Sequence, residues 1–192
     1  MLENKIYFLN DGKEKNTINC IQKTVDFCTE NHIKKIIINS TTGFTAKKAM
    51  ETIKTQNLEL IFVTHMSGYK EESINEFDLN LKKQIEKNGY KIFTGTHILK
   101  GIEASFQKYY NGIYPSIIFA DALRTVSQGT KVIIESSIMV KDAGLISKDE
   151  WVAVISGSHR GADTSAFIKP SHSNNIKKFV FGGFITMKNK FF

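Results

Sequence analysis

Four short apolar runs, each followed by a polar or glycine-rich turn, constrain this chain more than any other feature. They are Lys34–Asn39 (KKIIIN), Leu58–Val63, Tyr90–Thr94 and Trp151–Ile155. Each is strand-length and apolar on consecutive positions, the pattern of a strand covered on both faces. Helical stripes stand between them. Ile18, Ile21, Val25 and Cys28 follow a cap signal at Asn16-Thr17, and Ala46, Ala49, Met50 and Ile53 form the next face. Phe77, Leu81 and Ile85 form a third stripe, capped by Ser73 or Asn75 and closed by Asn88-Gly89. Three more patterns run in succession: Ile98–Tyr109, Pro115–Ser127 and Thr130–Ala143. The last is apolar on most of its circumference, which places it in the interior or at a subunit contact. A short run, Ser165–Ile168, is stopped by Pro170. With no repeat, linker or low-complexity segment, residues 1–192 read as a single α/β domain with a mainly parallel sheet.

The charge balance has an address. The 192 residues carry 26 basic and 19 acidic side chains, a net charge of +7. Thr164–Phe192 holds five of the lysines (Lys169, Lys177, Lys178, Lys188, Lys190) and no acid, so the rest is nearly neutral at 21 against 19. Phenylalanines 179, 181, 184, 191 and 192 lie among these lysines. Two readings follow for segment 171–192: a solvated or oligomer-contacting terminus, or a basic, aromatic stripe for nucleic acid. In either case every candidate site group precedes Pro170, so removing the tail is expected to leave ligand binding intact and to alter solubility or subunit association. The longest charge-free run, Tyr109–Ala120, is too short to cross a bilayer, and Met1–Leu9 has no apolar core for a secretory signal. The expectation is a cytoplasmic chain with no membrane partner. Cys20 and Cys28, eight residues apart on one helix, would stand about 12 Å apart along its axis and read as buried free thiols.

In a parallel sheet, ligands bind beyond the carboxyl ends of the strands. Here those ends are Ser40-Thr41-Thr42-Gly43-Phe44-Thr45, Thr64-His65, Thr94-Gly95-Thr96-His97 and the glycine-containing loop Ser156–Thr164. The first is phosphate-binding chemistry without a Walker lysine. Small hydroxyl residues and a glycine precede a helix start, where backbone N–H groups and the helix dipole favour an anion. Simple capping by Thr42 or Thr45 is the bland alternative. In the last segment Gly157 and Gly161 permit close backbone approach, Ser158, Asp163 and Thr164 add polar groups, and Arg160 is a planar cation suited to phosphate. A tight turn into a final strand competes with that reading. Arg160 and Arg124 are the two arginines among 26 basic residues, and Arg124 could equally pair with Asp121. His65 and His97 each follow a threonine and are the candidates for general acid and base, or for donors to an anionic ligand. A metal site would need a third ligand, and only acids such as Asp163 are on offer, so none is expected. Lys131, one turn before Glu135, is the structural partner for the charge on the apolar helix.

STTGFTAKKAMETI, VTHMSGYKEESINEF, GTHILKGIEASF, GIYPSIIFADALRTVSQGTKVIIESSIMVKDAGLI and GSHRGADTSAFIKP occur in this order. Together they resemble a family of stand-alone proteins similar to the C-terminal domain of pyruvate kinase, from about Ile6 to Pro170. The resemblance implies a three-layer α/β/α fold with a five-stranded sheet whose last strand is antiparallel. In pyruvate kinase the equivalent domain carries no catalysis and holds a sugar bisphosphate on a loop similar to Ser40–Thr45. In the stand-alone family the implied ligand is flavin mononucleotide. The family's glycine-glycine-threonine stands here as Ser156-Gly157-Ser158. The catalytic barrel of pyruvate kinase has no counterpart, so pyruvate kinase activity is not expected. The functional expectation is a site for a phosphorylated small ligand in a homo-oligomer. The alternatives are a phosphometabolite-sensing or assembly module without chemistry, and nucleic-acid binding through the tail.

Overall fold

The computed structural model describes residues 5–10, 13–54, 57–158 and 160–189. His159, Lys190, Phe191 and Phe192 lie outside them. Among the described residues seven strands and six α-helices follow one another, alternating as far as β4: β1 (Tyr7–Leu9), α1 (Glu14–Glu30), β2 (Lys35–Asn39), α2 (Phe44–Thr52), β3 (Glu59–His65), α3 (Leu79–Lys87), β4 (Lys91–Gly95), α4 (Gly101–Tyr110), α5 (Pro115–Val126), α6 (Gln128–Asp142), β5 (Val152–Ser156), β6 (Thr164–Lys169) and β7 (Val180–Lys188). A 3-10 turn, Ser173–Lys178, precedes β7.

The apolar runs are strands because both faces of the sheet are covered. In β2, Ile36 and Ile38 join Leu60, Phe62, Ala153 and Ile155 beneath α1, α2 and α3, which contribute Ile21, Ala46, Ala49, Leu81 and Ile85. Ile37 turns the other way, with Ile61, Val63, Val152 and Val154, against Ile133, Met139 and Val140 of α6. The period of two thus divides each run between two cores, and the three layers follow.

The strand order is β1-β7-β6-β5-β2-β3-β4. β4, β3, β2 and β5 are parallel, and β6 returns antiparallel to β5, pairing Val152 with Ile168 through Ser156 with Thr164. Those five strands match the expected sheet. The other two exceed it. β7 pairs antiparallel with β6, and β1 adds parallel to β7 at the far edge. Residues 180–188 of segment 171–192 are therefore a strand rather than a solvated terminus, with Thr186 fully buried and Ile185 1% exposed, while residues 172–178 before it are exposed. Gly182 and Gly183 hide this strand from a sequence reading, because glycine is a poor strand former. Gly182 has a packing reason: a Cβ there would collide with the Phe167 ring and reach Trp151 at 2.8 Å.

Two local expectations need correction. α1 begins at Glu14 after Lys13, and Thr17 is not its cap. Thr17 is buried inside the helix, where its hydroxyl accepts the backbone N–H of Ala162 at 3.0 Å. α3 is capped by Asp78, whose carboxylate accepts from Leu81 N–H; Asn75 instead accepts from Phe77 N–H, an Asx turn that shapes the loop before it. Cys20 and Cys28 are buried free thiols, and desolvation pushes each up to about 12. Among the described residues no helix is long and apolar enough to cross a membrane.

Candidate functional site

The parallel strands β5, β2, β3 and β4 lie side by side, so the segments that follow them meet at one edge of the sheet. They line a cavity of about 820 Å³, inside the range of roughly 300–1,000 Å³ usual for small-molecule sites.

After β2, Ser40–Gly43 turns into α2. Gly43 has φ +103°, a conformation that favours glycine, and a Cβ there would also press on the end of the Leu81 side chain at 2.9 Å. Capping by Thr42 or Thr45 does not occur. Ser40 does this work at a distance, its buried hydroxyl accepting Ala46 N–H at 3.2 Å. The N–H groups of Phe44 and Thr45 stand in the first turn, where the helix itself offers no carbonyl. Thr42 is exposed and lines the cavity, whereas Thr45 is buried beside it.

After β3, Thr64 donates to the Thr41 carbonyl at 3.0 Å, which locks the first two segments together. His65 Nε2 lies 3.1 Å from the Thr41 hydroxyl. Its Nδ1 is buried without a hydrogen bond and faces Glu76 Oε2 at 3.5 Å. Glu76 is also bound by Lys70 at 2.6 Å. Burial holds His65 below the ordinary histidine value, against the opposing pull of Glu76. After β4, His97 packs edge-on to His65 at 4.7 Å, and Tyr69 contacts both rings at 4.3 and 5.4 Å. Lys100 reaches the Tyr69 hydroxyl at 3.2 Å.

After β5, Ser156, Gly157, Ser158, Arg160 and Gly161 line the cavity. The buried Ser156 hydroxyl has no hydrogen-bond partner. Gly157 is required because a Cβ would collide with the Gly161 carbonyl. Arg160 lies 4.9 Å from the Phe44 ring, a cation held over an aromatic face at the start of α2.

Four of the expected site residues lie elsewhere. Gly43 is buried under Leu81, and Thr96 is exposed outside the lining. Asp163 turns inward, accepting Ser158 N–H at 3.1 Å and the Thr164 hydroxyl at 2.6 Å. Thr164 is fully buried under Gly129 at the start of α6. Both act as staples of the loop. Conversely, Tyr69, Lys70 and Lys100 line the cavity without any signal in the sequence, and Lys131 and Glu135 exceed the structural part expected of them. Those two do form a buried ion pair, and both also line the cavity. Glu135 further accepts Leu99 N–H at 3.1 Å. Burial holds Lys131 below the ordinary lysine value despite this carboxylate. Arg124 pairs with Asp121 as expected, at 2.5 Å, and also donates to Gln128 at 2.9 Å.

Lys70, Lys100, Arg124, Lys131 and Arg160 thus line the cavity; Glu76, Asp121 and Glu135 pair with three of them, and Lys100 and Arg160 make no ion pair among the described residues. Low-dielectric walls focus such a field and favour an anion. Among the described residues no group of three histidines, cysteines or carboxylates could hold a metal ion.

The histidines give the site a pH dependence. Burial first, with His65 and nearby lysines adding to it, depresses His97 to about 4 from 6.5, against the pull of Glu135. The fold therefore disfavours the protonated ring. Its contribution to stability is complete above about pH 6.5 and is lost as pH falls toward 4. His97→Gln should remove on the order of 1–3 kcal/mol of this acid-induced loss, allowing for screening of a ring that is only partly buried. Urea unfolding of both proteins at the two ends of this window measures it. Equal losses in the two proteins would refute the assignment.

Compared with known protein families, the chain matches none. Among solved structures it is similar to a Cryptosporidium parvum pyruvate kinase in complex with ADP, at 15% identity and a TM-score of 0.37, over 87% of this chain and 24% of that one. A second pyruvate kinase structure from Cryptosporidium parvum is similar at 13% identity and a TM-score of 0.39, over 81% of this chain and 23% of the other. The chain spans about a quarter of the length of the enzymes it matches.

Proposed function

We propose that the cavity binds a phosphorylated small molecule carrying a planar ring, with flavin mononucleotide the candidate that the family resemblance implies. The observation that carries this is Arg160. Among the described residues it has no acidic partner, and it is held over Phe44 beside the first turn of α2. A phosphate there would receive the α2 N–H groups and a planar guanidinium together. The residues present also suit a ring: Tyr69, His97 and Phe44 offer aromatic surface to the same cavity. When bound, a flavin supplies redox chemistry. The chain's own groups supply recognition: Arg160 and α2 for the phosphate, Lys100 and the buried Ser156 hydroxyl for polar edges.

The test is calorimetric titration with flavin mononucleotide and with riboflavin. Wild type should bind the phosphorylated form more tightly. Arg160→Ala should weaken that form by about 10-fold or more, the effect of losing hydrogen bonds to a charged group, and leave riboflavin nearly unchanged. Equal binding of the two flavins, or none of either, would overturn this reading of the ligand.

A further inference from the structure

α4 is a ten-residue helix with no buried residue. A helix this short is marginal in water unless a tertiary surface covers its apolar face. Its apolar side chains instead point outward: Ile102 is 72% exposed and Tyr110 74%, with Phe106 and Tyr109 exposed as well, and Ile113, 85% exposed in the turn to α5, and the exposed Ile118 of α5 join them. The hairpin with α5 is nonetheless well defined. Glu103 accepts both the backbone N–H and the hydroxyl of Ser116, and the Phe106 ring packs on Tyr110 and Tyr114 at 6.0 and 6.3 Å. From their fractional exposures the six side chains present roughly 700 Å² to solvent. That exceeds the apolar patch of an ordinary monomer and approaches the roughly 800 Å² that each partner buries in a stable dimer.

The charge pattern selects the occupant. Residues 101–126 carry Glu103, Lys108, Asp121 and Arg124, two of each sign, in a chain whose net charge is +7. A neutral patch on a basic protein offers no excess of cations to an anionic lipid or a nucleic acid. Two copies of it can meet without like-charge repulsion. Of the other surfaces expected to associate, α6 is buried in the domain, and the tail is a strand of the sheet whose exposed apolar side chains, Val180 and Phe181, are fewer than those of the hairpin. We infer that the α4–α5 hairpin is the surface through which two copies of this chain associate.

Sedimentation equilibrium of the full chain should give a mass of twice 21.7 kDa that dissociates on dilution. Tyr110→Glu combined with Ile113→Glu should raise the dissociation constant by roughly 100-fold or more. Ile176→Glu, at an exposed position on the 3-10 turn, should leave it unchanged. Circular dichroism checks that the fold survives, and Tyr110→Ser with Ile113→Ser repeats the test should the charged pair unfold the hairpin. A wild-type chain that stays monomeric overturns the inference. So does a dimer indifferent to both double variants. So does a monomer that sediments with phosphatidylserine vesicles through the same residues, which would assign the hairpin to a membrane.

Discussion

Thr42→Asp should weaken binding of flavin mononucleotide by about 30- to 1,000-fold, on the order of 2–4 kcal/mol. Thr42 is the exposed residue between β2 and α2, and it lines the cavity one position before Gly43. A carboxylate at this point competes with the ligand phosphate for the α2 N–H groups and for the Arg160 guanidinium. It also brings like charges together in a partly desolvated turn. The loss should therefore exceed that of removing a hydroxyl. Folding stability should change little, because a negative charge beside a helix N-terminus is favourable. The Ser40 hydroxyl that binds Ala46 N–H is untouched. Riboflavin, lacking the phosphate, should bind both proteins alike. Calorimetry with both flavins on both proteins separates these effects. A substituted protein that binds the phosphorylated form as tightly as wild type would remove the Ser40–Thr45 turn from the site.

The parts of this arrangement that sequence exposes are those set by local pattern. Ile36, Ile37 and Ile38 announce a strand covered on both faces, and the hydroxyl and glycine residues after it announce a helix start open to an anion. Parallel order then follows from helices between strands, and convergence of the turns follows from parallel order. What sequence hides is set by long-range contact. Thr17 has the chemistry of a helix cap, yet its hydroxyl serves Ala162, far along the chain. Asp163 and Thr164 sit in a glycine-rich loop like ligand-binding residues, but they turn inward because Ser158 N–H needs an acceptor there. Lys100 and Lys131 stand in motifs whose spacing says nothing of a ligand, and the fold of α4 to α6 over the sheet edge brings them to the cavity. A signal did exist for Lys131: it and Glu135 are one turn apart on an otherwise apolar helix, and a charged pair buried there at a desolvation cost invites a functional reading.

Ending the chain at Pro170 should abolish cooperative folding rather than alter solubility alone. β7 supplies the outer neighbour of β6 and, among the described residues, the one strand partner of β1. It also completes a buried hydroxyl network: Thr186 lies 3.0 Å from the Ser165 hydroxyl and 3.1 Å from Cys20 Sγ, and Thr24 donates to Ser165 at 2.8 Å. Without β7 these groups lose partners made within the fold, each at a cost of about 1–3 kcal/mol wherever water cannot replace them. Ile185 is lost from one core, and Phe184 and Phe179 from the edge of the other. Each large apolar side chain accounts for roughly 1.5–3 kcal/mol of burial. The sum is comparable to the whole stability of an ordinary domain, about 5–15 kcal/mol. It would also leave β6 as an apolar edge open to aggregation. The truncated chain should show no cooperative thermal transition by circular dichroism and should bind no ligand. Thr186→Val, which keeps the shape and removes only the hydroxyl, should fold with a loss of about 1–3 kcal/mol. A truncated chain that melts cooperatively near the wild-type temperature would show that β7 is an accessory to the fold, and the original five strands would then suffice.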